Sequence, residues 1–483
     1  MRIVHAAILG LTVLLAACEQ QKSGLAAASD AMGATALNSI EYSGSGSNFG
    51  FGQAYQPGDP WPKFRQVAYK VSANYQTPAY QLDATRAQGE VPPHGGAAQP
   101  VAGEQRTVLA AAGKNAWAQN GEQATPQNEN AADRMRELWA TPQGVIKAAM
   151  AANAALNGKE IDFKAEGRDV KATLNDQNLV EKVSFLSTNE VIGDYPIEIA
   201  YSDYADFGGV KFPTHIVRTE DGSPTLDVRI TDVKPNAAVT ITAPQNVVSA
   251  PPPPENPVVT SEKLADGVWY LNVGGARSWA VDFKDYIVVV EGIASEARSL
   301  AVNEEIAKLI PNKQIKYVIN THPHYDHAGG LRTYVAQGAT VVTHEGNKAF
   351  FEKVWARPRT LAPDLLSKQP KEATFETLTD KKVMTDGNKT IELYHMIGGH
   401  NGNNLLVYLP KEGIIFWGDG YNPPNGDDPR DFGRTPEYGI DLYRNIEQLG
   451  LKVKTIAPAH GAGARPYDNL KKAIGVIPVA TAG

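Results

Sequence analysis

Cysteine is the residue type that this sequence most clearly lacks, since Cys18 is the only one in 483 residues. One cysteine cannot form an internal disulfide, a cysteine-rich zinc finger or a cysteine-pair redox centre, so these three classes are excluded. Basic residues are also outnumbered, because 46 Lys and Arg stand against 53 Asp and Glu, for a net charge of −7. A nucleic acid partner needs basic groups that displace its counterions. We therefore expect no nucleic acid partner.

Long apolar runs are missing as well. A hydrophobic fraction of 42% and a mean hydropathy of −0.31 are typical of a globular protein and not of a polytopic membrane protein. A G-x-S-x-G nucleophile motif is also absent from the sequence. A length of 483 residues exceeds what one hydrophobic core usually fills, so we expect two domains.

The first 17 residues have the pattern of an export signal. Arg2 precedes an apolar run over 3–15 that is too short to span a bilayer, and Leu-Ala-Ala-Cys follows at 15–18. This tetrapeptide resembles the bacterial lipobox, which implies a lipoprotein signal peptide over 1–17 and lipidation of Cys18. The alternative is an ordinary signal peptide with a chance cysteine. Glu19 differs from the Asp linked to inner-membrane retention, so we expect an exported protein, lipid-anchored to the membrane at the periplasmic face of the outer membrane.

Composition divides the remaining chain into segments. Residues 18–40 are rich in Ala, Ser, Gln and Gly, which predicts a flexible tether. Residues 41–248 are assigned to an N-terminal domain of helices and antiparallel strands, with little regular structure expected between Tyr42 and Pro62, where Gly, Ser and Pro are frequent. Apolar residues at helical spacing over 131–156 predict a helix that Pro142 divides into two.

Short segments rich in β-formers and separated by turn residues predict an antiparallel meander within 160–242. The predicted strands are 161–165, 170–174, 180–186, 197–201, 210–217 and 225–230. The pattern loosely resembles the curved half-barrel of lipoprotein-carrier-like domains. His215 is the one histidine in this region and is interpreted as structural.

A proline-rich run at 249–258 is interpreted as a linker, because it stiffens into an extended spacer. Beyond it, residues 259–483 alternate strands with helices, so the whole chain is assigned to the α+β class. Predicted strands are 286–290, 316–319, 339–343, 391–394, 405–409, 414–417 and 455–457, and predicted helices are 294–309, 331–335, 347–355 and 442–449.

A dense group of metal-ligand residues follows the predicted strand 316–319. Within six positions lie His322, His324, Asp326 and His327. Imidazole nitrogen together with carboxylate oxygen suits zinc and other borderline divalent metals. Three histidines and an aspartate this close are not well explained by structural roles, so the sequence predicts a metal site here.

Three further candidate ligands lie at strand ends or in Gly-rich turns, namely His400, Asp419 and His460. Strand ends are where α/β folds place their sites, and small neighbours let the backbone approach a metal. His344 and His395 are not in such clusters and are interpreted as structural or surface residues.

These residues, in this order, resemble the metallo-β-lactamase superfamily over about 259–483. The match lies in H-x-H-x-D-H at 322–327, then His400, then Asp419 after a hydrophobic strand, and His460 in Pro-x-His-Gly. The resemblance implies an αββα sandwich with metals at one edge. It also implies one metal on His322, His324 and His400, another on Asp326, His327 and His460, and a bridging role for Asp419.

Two positions depart from the superfamily pattern. Glu291 stands where an Asp usually ends the strand before the first long helix, so the outer hydrogen bonds of the site could be rearranged. Asp419 stands where the zinc β-lactamases with a thiolate ligand have Cys. The resemblance therefore excludes this chain from that group of β-lactamases. The resemblance is closer to the glyoxalase, lactonase and phosphodiesterase branches.

The ligand set predicts a metal-dependent hydrolase with two zinc ions per chain, although iron or manganese fits the same ligands. Two metals about 3.5–4 Å apart can share one water and lower its pKa from about 15.7 toward 7. The resulting metal-bound hydroxide would cleave an ester, lactone, thioester or amide such as a β-lactam in a small-molecule substrate, with Asp326 and Asp419 as the catalytic residues. The alternatives are an iron-dependent oxidase or dioxygenase of the same fold and a non-enzymatic ligand-binding lipoprotein.

Two proline-bearing connections, 356–371 and 421–436, have the freedom to cover the metals and to select the substrate. The side chains on them that could contact substrate are Arg357, Arg359, Tyr421 and Arg434. The alternative for each of them is a solvated surface side chain.

Overall fold

The structure is a computed structural model that describes residues 24–121, 123–254, 256–424, 428 and 436–477. Cys18, the lipobox and Arg434 lie outside the described residues, so the expectations for them stay predictions. Among the described residues, the helices are too short or too polar to cross a membrane.

The N-terminal domain is built on one 13-stranded sheet whose neighbouring strands all run antiparallel. Its strands are β1 Ser39–Phe49, β2 Lys63–Asn74, β3 Ala79–Gln88, β4 Glu104–Ala112, β5 Asn115–Gln119, β6 Ala124–Pro126, β7 Leu156–Asn157, β8 Glu160–Ala165, β9 Arg168–Leu174, β10 Val180–Asn189, β11 Gly193–Phe207, β12 Val210–Glu220 and β13 Ser223–Pro235. The order is β6-β5-β4-β3-β2-β1-β13-β12-β11-β10-β9-β8-β7, so two meanders join where β1 pairs with β13.

The predicted strands and helices of this domain are confirmed where the sequence pattern is regular. In β8 the burial alternates residue by residue, with Ile161, Phe163 and Ala165 buried, as one packed face of a sheet requires. Helices α2 Ala131–Ala140 and α3 Pro142–Ala151 divide at Pro142 as predicted. The side chain of Thr141 caps α3 by accepting a hydrogen bond from Gly144 N.

Two expectations for this domain are wrong. Residues 18–40 are not a flexible tether from Gly24 onward, because α1 Leu25–Ala31 packs its Ala28 into the core. Strand β1 occupies part of the region expected to lack regular structure. The glycines there fit a strand, because a Cβ at Gly44 would lie 1.9 Å from Arg229 O across the β1–β13 pair. Glycine at this position serves close strand packing and not a loop.

The C-terminal domain is an αββα sandwich of two sheets, which confirms the predicted fold class. The first sheet contains β14 Thr260–Ala265, β15 Val268–Val273, β16 Ala276–Asp282, β17 Ile287–Val290, β18 Ile315–Ile319, β19 Thr340–His344 and β20 Phe375–Leu378. The second contains β21 Lys381–Thr385, β22 Thr390–Met396, β23 Asn404–Leu409, β24 Ile414–Trp417, β25 Thr455–Pro458 and β26 Arg465–Pro466. Val288, Leu393 and Phe416 belong to the apolar core that both sheets share.

The helices that follow α3 are α4 Gln245–Val248, α5 Glu296–Leu309, α6 Tyr325–Ala328, α7 Leu331–Ala336, α8 Glu345–Trp355, α9 Leu365–Lys368, α10 Glu437–Gln448 and α11 Tyr467–Ala473. Of these, α7 and α8 contact β19 on the first sheet. Leu442 of α10 and Leu470 of α11 pack against the outer face of the second sheet. Strands β17, β18 and β19 run parallel, so their carboxyl ends meet at one edge.

The connection 356–371 packs against the N-terminal domain. Arg357 donates two hydrogen bonds to the Asp221 carboxylate, at 2.8 and 2.7 Å, and Arg359 donates to Val191 O at 2.7 Å. These contacts correct the expectation that the two arginines could contact substrate from a lid. Their cationic groups instead hold the two domains together.

Candidate metal centre

The H-x-H-x-D-H segment begins directly after β18. A short loop carries His322 and His324, and α6 then presents Asp326 and His327. Asn320 holds the loop closed, because its Nδ2 donates to His322 O at 2.7 Å. The central strand and this buried amide thereby direct four candidate ligands to the same edge.

The second sheet supplies the other three candidates at the same edge. His400 follows β22, Asp419 follows β24 and His460 follows β25. Because β24 and β25 are parallel, with Trp417 opposite Pro458, their following residues emerge side by side. The structure thus brings together all seven candidate ligands that the sequence indicates.

One group of potential ligands contains His322, His324, His400 and Asp419, whose ligand atoms all lie within 4.8 Å of one another. His400 Nε2 is 3.2 Å from His322 Nε2 and 3.5 Å from Asp419 Oδ2. Four ligands around zinc at about 2.0–2.1 Å in tetrahedral geometry would stand about 3.3 Å apart. These spacings match a single metal position.

A second group contains Asp326, His327, His460 and again Asp419. His460 Nε2 is 3.1 Å from His327 Nε2 and 3.5 Å from Asp326 Oδ2. The two Asp419 oxygens face different neighbours, since Oδ1 is 3.5 Å from His460 Nε2 and Oδ2 is 3.5 Å from His400 Nε2. One carboxylate therefore belongs to both groups, as a bridge between two metals requires.

The histidines of the first group are held neutral. Burial lowers the pKa of His322 well below its ordinary value, and the neighbouring histidines lower it further. Burial also lowers the pKa of His324 and, together with repulsion from His324, lowers the pKa of His400 to about 3. Neutral imidazole is the form that binds a metal, so these three side chains need not release a proton first.

The acidic side chains are held ionised. Burial opposes the charged form of Asp419, but His460 and His327 outweigh it and keep the pKa of Asp419 well below its ordinary value. Burial likewise opposes ionisation of Asp326. The attraction of His327 outweighs this effect and keeps the pKa of that carboxyl well below its ordinary value. The pKa of His327 is raised because Asp326, Glu291 and Asp419 outweigh its burial. The second group therefore attracts positive charge.

Each histidine of the H-x-H-x-D-H segment has a partner for its other ring nitrogen. His322 Nδ1 lies 3.0 Å from Thr321 Oγ1, His324 Nε2 lies 2.8 Å from Ala54 O, and His327 Nδ1 lies 2.7 Å from Glu291 Oε2. Such partners fix the tautomer and leave the opposite nitrogen for a metal.

Glu291 replaces the Asp that is usual at this position, and its carboxylate still accepts hydrogen bonds from the residues around the candidate ligands. It is fully buried, and its backbone has a φ of 73°. Oε1 accepts a hydrogen bond from Thr321 N at 2.7 Å while Oε2 accepts one from His327. The longer side chain therefore holds both the backbone of the ligand loop and one ligand ring.

The residues fit a divalent metal in a further respect. Within the described part of the chain, His324 Nδ1 and Asp419 Oδ1 are buried and have no hydrogen-bond partner. A buried acceptor without a partner costs about 1–3 kcal/mol. Both atoms belong to the ligand groups, so a bound cation would satisfy them.

Other candidate residues lie apart from the two groups. His344 and His395 stack with ring centroids 4.5 Å apart, and His344 Nδ1 accepts from Gly346 N at the start of α8. His215 Nε2 lies 2.8 Å from Asp227 Oδ1 on the N-terminal sheet. Tyr421 is buried in the apolar cluster of the second sheet. These four residues have structural surroundings.

A cleft of about 720 Å³ opens at the second ligand group. Asp326, Asp419 and His460 line one side, and the N-terminal domain supplies Gln53 and Arg86 on the other. Sequence reasoning missed this second wall, because neither residue stands in a recognisable motif. The arrangement offers two groups of potential metal ligands beside an open cleft.

The family model of the metallo-beta-lactamase superfamily matches residues 272–460. The hydroxyacylglutathione hydrolase of Pelagibacter ubique (strain HTCC1062) is 28% identical over 109 residues, which is 22% of this chain and 37% of that protein. The metallo-beta-lactamase type 2 of Elizabethkingia meningoseptica is 26% identical over 173 residues, which is 34% of this chain and 63% of that protein. The chain thus spans less than two thirds of each of these curated relatives.

Among solved structures, a metallo-beta-lactamase from Pontibacter korlensis aligns with 45% of this chain and 98% of its own, at 21% identity and a TM-score of 0.34. The metallo-beta-lactamase FIM-1 from Pseudomonas aeruginosa aligns with 46% of this chain and 96% of its own, at 17% identity and a TM-score of 0.35. The matched residues 272–460 carry all seven ligand residues in the two groups described above. This segment of the chain belongs to the metallo-beta-lactamase superfamily.

Proposed function

We propose that the protein is a hydrolase that binds two zinc ions and opens an ester, lactone, thioester or amide bond, including a β-lactam, in a small-molecule substrate. The observation that carries the proposal is the pair of four-ligand groups that share Asp419. A structural zinc site needs four ligands and no shared acid, so seven residues in two groups favour catalysis. The partial matches to a hydroxyacylglutathione hydrolase and to a metallo-beta-lactamase type 2 support the same class.

The chain's own residues prepare the site. Metals bound there would lower the pKa of a shared water and polarise the scissile carbonyl oxygen. Asp419 supplies one oxygen to each group. Asp326 belongs to the second group and lines the cleft. Glu291 orients His327 by accepting its Nδ1 hydrogen. No serine or cysteine nucleophile is required for this chemistry.

Charge in the cleft favours a carbonyl substrate over a polyanionic one. Of the described residues that line it, Arg86 is the one lysine or arginine, while Asp326 and Asp419 contribute carboxylates. A nucleic acid substrate needs several cations that hold neighbouring phosphates. A single ester or lactone develops one oxyanion, which the metals themselves would stabilise.

A substrate panel tests the reaction class. Purified protein should hydrolyse a lactone, ester, thioester or β-lactam with a kcat/KM at least about tenfold above that for bis-p-nitrophenyl phosphate, equivalent to about 1.4 kcal/mol in the barrier. Metal analysis of protein made without supplementation should find zinc. Iron in its place, with oxygen consumption, would favour the oxidase alternative, and efficient cleavage of the phosphodiester alone would overturn the carbonyl assignment.

We also propose that the protein acts outside the cytoplasm, held by a lipid on Cys18 at the periplasmic face of the outer membrane. The lipobox at 15–18 supports this location. No nucleic acid partner is proposed.

A further inference from the structure

We propose that the N-terminal domain is a working part of the metal centre, in which Gln53 positions the ligand Asp326 and Ala54 positions the ligand His324. The inference rests on the proposed metal binding. It assigns a role to a domain that lies outside the matched superfamily segment 272–460. Two loops carry the role, the β1–β2 loop at 50–62 and the β3–β4 loop at 89–103.

The Gln53 amide is held from both sides. Its Nε2 donates to Asp326 Oδ1 at 2.8 Å, and its Oε1 accepts from Ala97 N at 2.8 Å. The amide therefore cannot flip without losing both bonds. With Oδ1 bound to Gln53, the other oxygen of Asp326 stands 3.4 Å from His327 Nε2 and 3.5 Å from His460 Nε2. Gln53 thus selects which Asp326 oxygen faces the second ligand group.

Ala54 acts on the first ligand group through its backbone. Its carbonyl oxygen accepts from His324 Nε2 at 2.8 Å and from Asn401 Nδ2 at 3.3 Å. A carbonyl can only accept, so it fixes the His324 tautomer with the proton on Nε2. The buried, unpartnered Nδ1 of His324 is then the atom left for a metal. Neighbouring residues of one loop therefore serve both ligand groups.

Backbone hydrogen bonds also join the two N-terminal loops to the segments that carry the candidate ligands. Backbone hydrogen bonds run from Tyr325 N to Gly52 O at 3.1 Å, from Gly402 N to Tyr55 O at 2.9 Å and from Gly95 N to Gly399 O at 2.9 Å. Each joins a loop residue to a segment that carries a candidate ligand. The N-terminal loops are thereby fastened to the ligand segments of both sheets.

Gly96 shows how little space remains. A Cβ at this position would lie 1.9 Å from Gln53 Oε1 and 2.8 Å from His324 Cε1. The backbone of the β3–β4 loop therefore lies directly against a ligand ring and against the amide that holds Asp326. Glycine is required here by the close approach of the two domains.

A zinc competition measurement on the full-length protein tests the role of Gln53. Loss of an outer partner of a ligand typically costs about 10–100-fold in metal affinity. We expect Gln53→Ala to bind one of its two zinc ions about 10–100-fold more weakly against a chelator. Gln56→Ala is the matched control, because this exposed amide of the same loop has no hydrogen bond to a ligand; it should keep both affinities.

Cobalt provides a second readout that does not depend on turnover. In cobalt-substituted protein, Gln53→Ala should shift the visible absorption of the ion in the second group, while Gln56→Ala leaves the spectrum unchanged. Wild-type zinc affinities and an unchanged spectrum in Gln53→Ala would overturn this inference and leave the hydrolase proposal standing. Wild-type protein that binds no zinc would overturn the hydrolase proposal itself.

Discussion

Asp419 is the residue on which the two ligand groups depend together. Its side chain is 11% exposed, and its carboxylate has one oxygen near each group. Asp419→Ala removes both oxygens, so we expect loss of at least one of the two proposed metals and of the proposed hydrolytic activity. Metal content by mass spectrometry of the purified variant measures the first effect.

His344→Ala is the control for Asp419→Ala. His344 caps α8 and belongs to neither ligand group, so its loss should leave metal content unchanged. A fully loaded and fully active Asp419→Ala protein would refute the bridging role.

The seven candidate ligands could be predicted at the residue scale because each stands in a short local motif at a strand end. Gln53 and Ala54 could not, since they approach the ligands across 273 and 270 residues of chain. Nothing in a loop rich in glycine and proline distinguishes a glutamine that bonds to a candidate ligand from one that does not. Gln56, three residues later, has the same side chain and is exposed.

At the scale of elements, one buried ion pair stabilises the region where α7 and α9 meet. The Asp364 carboxylate accepts from Arg332 Nε and Nη2 at 2.5 and 3.0 Å and also caps α9 by accepting from Ser367 N. Arg359 Nε lies 3.7 Å away, so Asp364→Ala leaves two arginines close together. Breaking a buried pair costs about 3–5 kcal/mol. Because solvent screens part of this interaction, we expect a loss of about 2–3 kcal/mol in unfolding free energy at pH 7.

The effect of Asp364→Ala should shrink in acid. Burial opposes ionisation of Asp364, but the bonds from Arg332 and Ser367 hold its pKa well below its ordinary value. A depressed carboxyl pKa stabilises the folded state in full above the unfolded-state value of about 3.9. Below that pH the unfolded chain takes up the proton first, so the contribution declines from there and is lost completely only below the folded-state pKa. Urea unfolding of metal-free protein at pH 7 and pH 3 measures the difference.

Asp169→Ala is the comparison for that measurement. Its pair with Lys164 is exposed, with side-chain accessibilities of 86% and 71%, so little change is expected at either pH. An equal loss of stability for Asp364→Ala at both pH values would contradict the assigned role of its charge.

Which elements could be predicted depended on how regular their pattern was. Strands such as β8 and β9 alternate buried residues with more exposed ones, and the pattern identified them. Strand β1 carries Gly44 and Gly46, which the sequence alone associates with loops. The need for glycine depends on the neighbouring strand β13, because a Cβ at Gly46 would lie 2.1 Å from Asp227 O on that strand. Sequence patterns report local propensity, whereas this strand depends on a distant partner.

At the scale of the whole molecule, the proposed location depends on Cys18. If the lipobox is processed, Cys18→Ala leaves the exported chain without its lipid, and we expect the variant in the soluble fraction. Fractionation of cells with high-salt washing of the membranes measures this. Equal retention of variant and parent on washed membranes would refute the anchor.

The pairing of β1 with β13 has a consequence for biosynthesis. The hydrogen bond from Asn38 N to Asn236 Oδ1, beside that pair, spans 198 residues. At about 5–20 residues per second, about 10–40 s separate the synthesis of the two strands. Throughout this interval β1 lacks one neighbour and presents an open edge, the kind of surface that promotes aggregation. The N-terminal sheet therefore cannot close this edge until its thirteenth strand has been made.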